Sequence, residues 1–378
     1  MKWETVEIGQ LGEVITGNTP PRKNPELYGD FIPFIKPTDM EIDRRYTPNP
    51  EECYSELGFE KYKNSLIPKG ATCIVTIGSI GKKMTQAYCD CFINQAVNAV
   101  IPNENYDKDF VYYLLKNNLD KVKGLDSGTS SGRENVSKSA FSSIEVKVIK
   151  HLPIQRKIAS ILSSYDDLIE NNLKRIKLLE EKASLMYKLM QKELSDTEKI
   201  NLFDFANIQM GFAFKAEAFN EEGEGIPIIR IRDIPNQLTK SYTTQEVDNH
   251  YWVEKGDLLI GMDGEFHMNE WLGQRGYLVQ RVCRLRTKKE LNQSYLWQAL
   301  KEPIHYYETT ISGATVAHLG KKHLEEIFIA KPKDSMKNEL EELNTMRKLK
   351  IVLAEQNTKL REARDILLPK LMNGQIEV

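Results

Sequence analysis

The sequence predicts an α+β protein made of two similar globular units, each followed by a long helix, with the two helices packed antiparallel. Three observations predict it. Segments of the first half return in the same order in the second half; two extended stretches carry apolar residues at helical spacing; and each half contains short β-rich runs around one amphipathic helix.

The repeat comes first. "LGEVITGNTP…DFIPFIKPTDM" (Leu11 to Met40) returns as "FANIQMGFAF…GIPIIRIRDI" (Phe205 to Ile234), with Gly17 and Gly211, Ile32-Pro33 and Ile226-Pro227, and Asp39 and Asp233 in register. Further on, "PKGATCIV" (Pro68 to Val75) echoes "EKGDLLIG" (Glu254 to Gly261). Likewise "DSGTSSGRENVSKSAFSSIEV" echoes "ISGATVAHLGKKHLEEIFI", and Lys188-Leu189-Met190 returns as Lys370-Leu371-Met372. Chance similarity rarely keeps its order over such a length. Within each half, runs such as Thr72–Ile77 and Gln95–Ile101 lie between turn signals and read as strands. A single helix is expected over Asp107–Leu119 in the first half and over Asn292–Lys301 in the second, followed by a polar Ser-Gly loop and a strand.

The long helices follow from periodicity. Ile158, Ile161, Tyr165 and Leu168, then Ile176, Leu179, Ala183, Met186 and Met190, step mostly by three and four, with one break near Asn172. A second stripe runs through Met336, Leu340, Leu343, Met346, Leu349 and Leu353, then Leu360, Ala363, Leu367 and Leu371. Helices this long persist in water only by burying their apolar faces. Pro153 and Pro332 stand at the two entrances, where a helix tolerates proline. Only "ELSDTEK" separates the first helix from the next unit, and the ends of a compact domain tend to lie close together. The second helix is therefore expected to run back along the first as a rod of about 57 Å, with one unit at each end related by an approximate two-fold axis. An ordinary core helix is the plainer alternative for either stripe alone. The expected boundaries are 1–151 and 194–331 for the two units, and 152–193 and 332–378 for the helical segments.

Composition sets bounds on function. The chain has 378 residues, 40% hydrophobic and 28% charged, with a net charge of −2. That size accommodates two or three domains, and the near-neutral charge excludes a general polyelectrolyte binder, so nucleic-acid affinity must come from local patches. Five cysteines without C-x-x-C spacing, no leader-like opening and no apolar run of bilayer length point to a cytoplasmic protein with reduced thiols.

Catalytic signatures are missing. "GSIGKK" (Gly78 to Lys83) is too short between glycines for a phosphate-binding loop. "NTPP" (Asn18 to Pro21) is superficially like the Asn-Pro-Pro-aromatic motif of amino methyltransferases, but the extra Thr and the following Arg22 break the pattern and make it a turn. There is no Gly-rich strand-to-helix turn for S-adenosylmethionine, no H-E-x-x-H and no nucleophile elbow. Cys89-x-Cys91 reads as a strand whose thiols share one face, and the six His show no ligand spacing. The chain is expected not to be an enzyme by itself.

The arrangement resembles the specificity (S) subunit of a Type I restriction-modification system, and the likeness extends over essentially the whole chain. "ITGNTPPRKNPELYGDFIPFIKPTDM" is similar to the opening of the family's first target-recognition domain. "LPIQRKIASILSSYDDLIENNLKRIKLLEE" resembles its central conserved region and "KLREARDILLPKLMNGQIEV" its distal one. The second unit departs from the family opening, since "GFAFKAEAFNEEGEGIP" lacks the Pro-rich run. The resemblance implies two target-recognition domains joined by a coiled-coil pair, each reading one half of a bipartite, asymmetric duplex target. It also implies two modification (M) subunits docked on the chain and restriction (R) subunits in the full complex. S-adenosylmethionine, ATP and Mg would belong to those partners, with no cofactor and no metal on this chain.

Candidate DNA contacts follow from charge and loop position. Lys36 and Thr38, matched by Arg230 and Arg232, flank a repeated strand end; Lys82 and Lys83 follow the "GSIG" turn; Arg133 and Asn135 lie in the Ser-Gly loop, with His318 near the equivalent place; and Arg275 and Arg281 bracket a polar stretch. Lys and Arg are the residues that meet phosphates and guanine edges, while Asn, Thr and His supply further hydrogen bonds. For each one singly, a solvated surface charge is the alternative. The partner surface implied by the resemblance comprises Arg156, Lys157, Asp166, Asp167, Glu170 and Asn171 on the first helix, and Arg361, Glu362, Arg364 and Asp365 on the second. Two other readings stay open: an enzyme with a cofactor site of its own, and a coiled-coil scaffold whose globular ends bind protein.

Overall fold

The computed structural model describes residues 2–125, 135–289, 292–311 and 317–378. The chain divides into two compact units, residues 1–169 with 359–378, and residues 170–358. Each unit is built the same way.

In the first unit, an antiparallel sheet runs in spatial order Gly12–Thr16, Val97–Pro102, Thr72–Val75, Met84–Gln86. The second unit repeats it as Ala206–Met210, Val282–Thr287, Leu258–Gly261, Met268–Glu270. The registers coincide: Ile74 faces Asn98 and Met84, as Ile260 faces Cys283 and Met268. A smaller sheet in the first unit orders Tyr28–Gly29, Glu52–Tyr54, Ile32–Ile35 and Phe92–Ile93. Its counterpart orders Phe219–Asn220, Tyr242–Thr243, Ile226–Ile229 and Gly276–Leu278, and adds Trp252–Val253 at its edge. In both, one pair is parallel, Phe34 with Phe92 and Ile228 with Tyr277. A two-stranded ribbon completes each unit, Trp3–Glu7 with Glu145–Ile149 and Lys199–Asn201 with Phe328–Ala330. The internal repeat is thus a repeat of strand pairing as well as of sequence.

Two pairs of repeated glycines have backbone reasons. A Cβ on Gly17 would sit 2.1 Å from the Ile93 carbonyl oxygen, and one on Gly211 2.0 Å from that of Val279. Gly70 and Gly256 hold φ of +94° and +91° in the turn before the central strand, a region glycine enters freely.

The helix expected over Asp107–Leu119 forms at Lys108–Lys116, where the Asp107 carboxylate accepts the N–H groups of Asp109 and Phe110 at 3.0 and 3.1 Å. Its counterpart, Gln293–Thr310, extends beyond the expected end at Lys301 and passes through Pro303. Burial of Tyr295, Leu296, Leu300 and Ile304 holds that face down on both sides of the proline. The shared strand expected for Cys89 and Cys91 does not form. The chain bends through Tyr88–Asp90, Asp90 accepts the Lys69 N–H at 2.9 Å, and Cys89 is exposed while Cys91 is buried.

The central helix spans Leu152–Gln191 and the distal helix Lys337–Met372. In the first unit, Ile158, Ala159 and Leu162 of the central helix share a core with Leu368, Leu371 and Met372 of the distal one. In the second, Ala183 and Met190 pack with Met336, Leu340, Leu343 and Met346. There Asn172 meets Asn357, Glu180 meets Lys350 and Lys182 meets Glu342, so the two helices run antiparallel. The buried stripe differs from the expected one at two positions. Leu168 and Leu349 are 51% and 37% exposed, while their neighbours Ile169 and Lys350 are buried; Leu353 is buried as expected. At Leu168 the face turns by one residue just before the polar layer of Asn172 and Asn357, and at Leu349 the buried place is taken by Lys350, paired with Glu180.

Candidate nucleic-acid interface

Each smaller sheet ends in a turn that an aspartate closes. The Lys36 N–H donates to Asp39 Oδ2 at 2.7 Å, and the Arg230 N–H donates to Asp233 Oδ2 at 2.9 Å. The strand end therefore presents a cation in both units, Lys36 in one and Arg230 in the other. Their surroundings differ. Lys36 is paired with Glu51 at 2.7 Å and Glu52 at 3.4 Å, and although burial lowers its affinity for a proton, these carboxylates raise it further. Arg230 donates instead to the hydroxyl of Ser241, which also receives Arg232 at 3.3 Å. Arg232 is exposed and lies 3.7 Å from Glu221.

Thr38 is exposed in the first turn. Lys83 reaches the same turn, donating its ammonium to the Pro37 carbonyl at 2.8 Å, and burial pulls that ammonium below its ordinary pKa. Lys36, Thr38 and Lys83 are thus brought together, with Lys82 exposed beside Lys83. The loop that carries Asn135 joins the "GSIG" turn: Ile77 and Asn135 form an antiparallel bridge, and the Val136 N–H donates to Thr76 O at 2.9 Å. Arg133 lies outside the described residues.

In the second unit Asp263 and His318 form the same bridge, and the Leu319 N–H donates to Met262 O at 2.8 Å. Asn135 and His318 therefore occupy equivalent backbone positions. Arg281 joins His318 at Asp263: Oδ2 is ion-paired with Arg281 Nε at 3.3 Å, Oδ1 lies 2.6 Å from His318 Nδ1, and Arg281 Nη1 lies 3.4 Å from His318 Nδ1. Arg275 is apart from this group, stacked 3.9 Å over the Trp252 ring and paired with Glu254 at 2.7 Å. Asp263 is not singled out by charge or motif. Its signal in the sequence is that it falls opposite Ile77 once the repeat is aligned.

The residues expected to form a partner surface divide by burial. Asp166 and Arg364 are ion-paired with side chains 3% and 0% exposed, and Asp166 also accepts the Tyr113 hydroxyl at 2.5 Å. Arg361 is half-buried, and its burial, together with neighbouring Arg364, lowers its pKa. Glu170 is buried, whereas Arg156, Lys157, Asp167, Asn171, Glu362 and Asp365 are exposed. Arg156 lies 3.9 Å from Asp107, and Asp365 pairs with Arg364 at 2.8 Å. Among the described residues, no cluster of three His, Cys, Asp or Glu side chains is arranged to hold a metal ion. Among the described residues, no helix is long and apolar enough to cross a membrane.

The profile of the Type I restriction modification DNA specificity domain matches residues 1–181 and again 194–351. The chain belongs to this family. The two matches fall on the two halves of the repeat. Among curated relatives, the EcoBI specificity subunit of Escherichia coli is 34% identical over 135 residues, 35% of this chain and 28% of that one. The HindI specificity subunit of Haemophilus influenzae is 29% identical over 198 residues, covering 51% and 42%. The matched stretches therefore span less than half the length of these two relatives. The MjaIX specificity subunit of Methanocaldococcus jannaschii is 23% identical over 420 aligned residues, covering 100% of this chain and 94% of its own. The crystal structure of a Type I restriction-modification S subunit from M. genitalium shares the fold, with a TM-score of 0.54 at 17% identity over 100% and 96% of the two chains.

Proposed function

We propose that this chain is the non-catalytic, DNA-reading specificity subunit of a Type I restriction-modification complex. Each unit reads one half of a bipartite duplex target, and the chain positions two modification subunits and, in the full complex, restriction subunits. The observation that carries this reading is a repeated backbone frame with unlike side chains. The same turns and bridges carry Lys36, Ile77 and Asn135 in one unit and Arg230, Asp263 and His318 in the other. Base edges are discriminated by side chains, while backbone contacts fix register. One frame with two sets of side chains therefore suits an asymmetric target.

In this reading Lys36, Thr38, Lys82, Lys83, Asn135, Arg230, Arg232, Arg275, Arg281 and His318 meet DNA, and Arg133 does so from the same loop as Asn135. The exposed members of the partner set, Arg156, Lys157, Asp167, Asn171, Glu362 and Asp365, meet the modification subunits. The buried Asp166–Arg364 pair holds the helices in place for them. S-adenosylmethionine, ATP and Mg act on the partner subunits, and the complex works in the cytoplasm. Sequencing the methylated bases in cells that express this chain with its modification partner tests the proposal. The expected result is one asymmetric bipartite motif with a fixed gap. Methylation without such a motif, or S-adenosylmethionine binding by the purified chain alone in calorimetry, overturns it.

A further inference from the structure

We infer that Asp263, Arg281 and His318 form a guanine-reading cluster in the second unit, with Asp263 as the positioning residue for Arg281. The inference rests on the DNA-reading role proposed above and names the chemistry of one of its sites.

Three chain segments converge to build the cluster. The Met262 N–H donates to Arg281 O at 2.8 Å, the Leu319 N–H donates to Met262 O at 2.8 Å, and Asp263 bridges to His318. The first unit has the same frame: the Thr76 N–H donates to Ala96 O at 2.9 Å, the Val136 N–H donates to Thr76 O, and Ile77 bridges to Asn135. Ile77, Ala96 and Asn135 thus stand where the second unit has Asp263, Arg281 and His318. The backbone is kept while an apolar, a methyl and an amide side chain are exchanged for a carboxylate, a guanidinium and an imidazole. A change of that kind at a repeated frame alters what is recognised and leaves the fold alone.

Arg281 also holds a φ of +71°, a left-handed conformation that a residue with a Cβ adopts at a cost; Ala96 is not among the positive-φ residues. The second unit accepts that cost to place a side chain that is 55% exposed. Asp263 is an acceptor only, so His318 Nδ1 carries the proton in their 2.6 Å contact, and the imidazole meets a ligand with Nε2. The other carboxylate oxygen engages Arg281 at Nε, 3.3 Å away. Arg281 Nη1 also lies 3.4 Å from His318 Nδ1, so the guanidinium is flanked by both partners, and its outer edge is a planar fork that matches the N7 and O6 acceptors of guanine in the major groove. Lysine can also donate to N7 and O6, but its ammonium is a point charge without the planar fork and makes the paired contact less well.

The test uses the full chain assembled with modification subunits and a pool of duplexes randomised over both half-sites. Wild type is expected to select guanine at one position of one half-site. R281A is expected to lower discrimination at that base pair by about 5- to 150-fold while the other half-site stays unchanged, which serves as the folding control. R281K keeps the charge and the β-carbon, and is expected to weaken the guanine preference by less than R281A. D263N is expected to weaken the preference at the same pair alone. An unchanged motif in R281A overturns the inference, as does a uniform loss of affinity in R281A with the guanine preference intact, which makes Arg281 a phosphate contact. Failure of wild type to select any motif overturns the DNA-reading role itself.

Discussion

Asp233 does two things at once. It closes the turn after Ile226–Ile229 by accepting the Arg230 N–H, and it is buried, with a relative exposure of 6%. Burial pushes its carboxyl up to about 6, against the pull of Arg232 and the hydroxyl of Thr239. The sign of the consequence is opposite to that of a paired surface carboxylate. The folded state binds the proton more tightly than the unfolded chain, so ionisation destabilises the second unit fully above about pH 6. That cost is relieved as pH falls through 6 toward the ordinary carboxylate range near 4. D233N keeps an acceptor oxygen for the Arg230 N–H and removes the titration. Between pH 7 and pH 5, wild type should gain about 1 kcal/mol over D233N in the unfolding transition of the second unit. Denaturant melts of both proteins at the two pH values measure it, and parallel pH profiles would count against this account.

Among elements, the two long helices show what polar residues do in an apolar seam. Asn172 donates to Asn357 at 3.0 Å where the central stripe breaks, with both side chains buried. Buried Asn pairs fix register and partner at a cost in stability. N172L removes one partner from a buried amide and should lower stability by about 1 kcal/mol, while N172L/N357L, which matches the apolar layers around it, should exceed wild type. Denaturation midpoints of the three proteins decide the point. Charged clusters serve each unit separately. In the first, Tyr113 and Arg364 converge on Asp166; in the second, Arg347 and Lys350 of the distal helix converge on Glu270 at 2.5 and 2.9 Å. Glu270 occupies the strand position that Gln86 holds in the first unit, where Gln86 instead accepts from Arg45 Nε at 2.8 Å. Removing one member of such a buried pair costs far more than removing a surface pair, so the first cluster secures the helix Lys108–Lys116 against the long helices, and the second secures the sheet against the distal helix.

For the whole molecule, the prediction concerns the target. The central helix supplies residues to both units and the distal helix does the same in reverse order. If the helices set the unspecified gap of the target, inserting one turn, about 3.6 residues, into both should lengthen that gap and leave each half-site as it was. Methylome sequencing of the insertion variant reads this directly, and unchanged spacing would remove the helices from that role.

Much of the architecture is legible in the sequence because strand pairing and helix faces are written in short-range periodicity, and the duplication writes them twice. The shared offset of Gly17 and Gly211 and of Asp39 and Asp233 is borne out by equivalent turns, and the break near Asn172 by a polar layer. The candidate interface is less legible. Periodicity does not reveal that Asp166 and Arg364 spend their charges on each other, or that Lys36 is covered by two carboxylates, because those partners come from distant segments. Nor does any local signal join Asp263, Arg281 and His318, which are separated in the chain and meet only when strands and loop register side by side. Pattern along the chain determined which elements form and that they form twice. Tertiary packing decided which charges are buried in pairs and which are left to meet a ligand, since desolvation and ion pairing depend on neighbours that only the folded chain brings together.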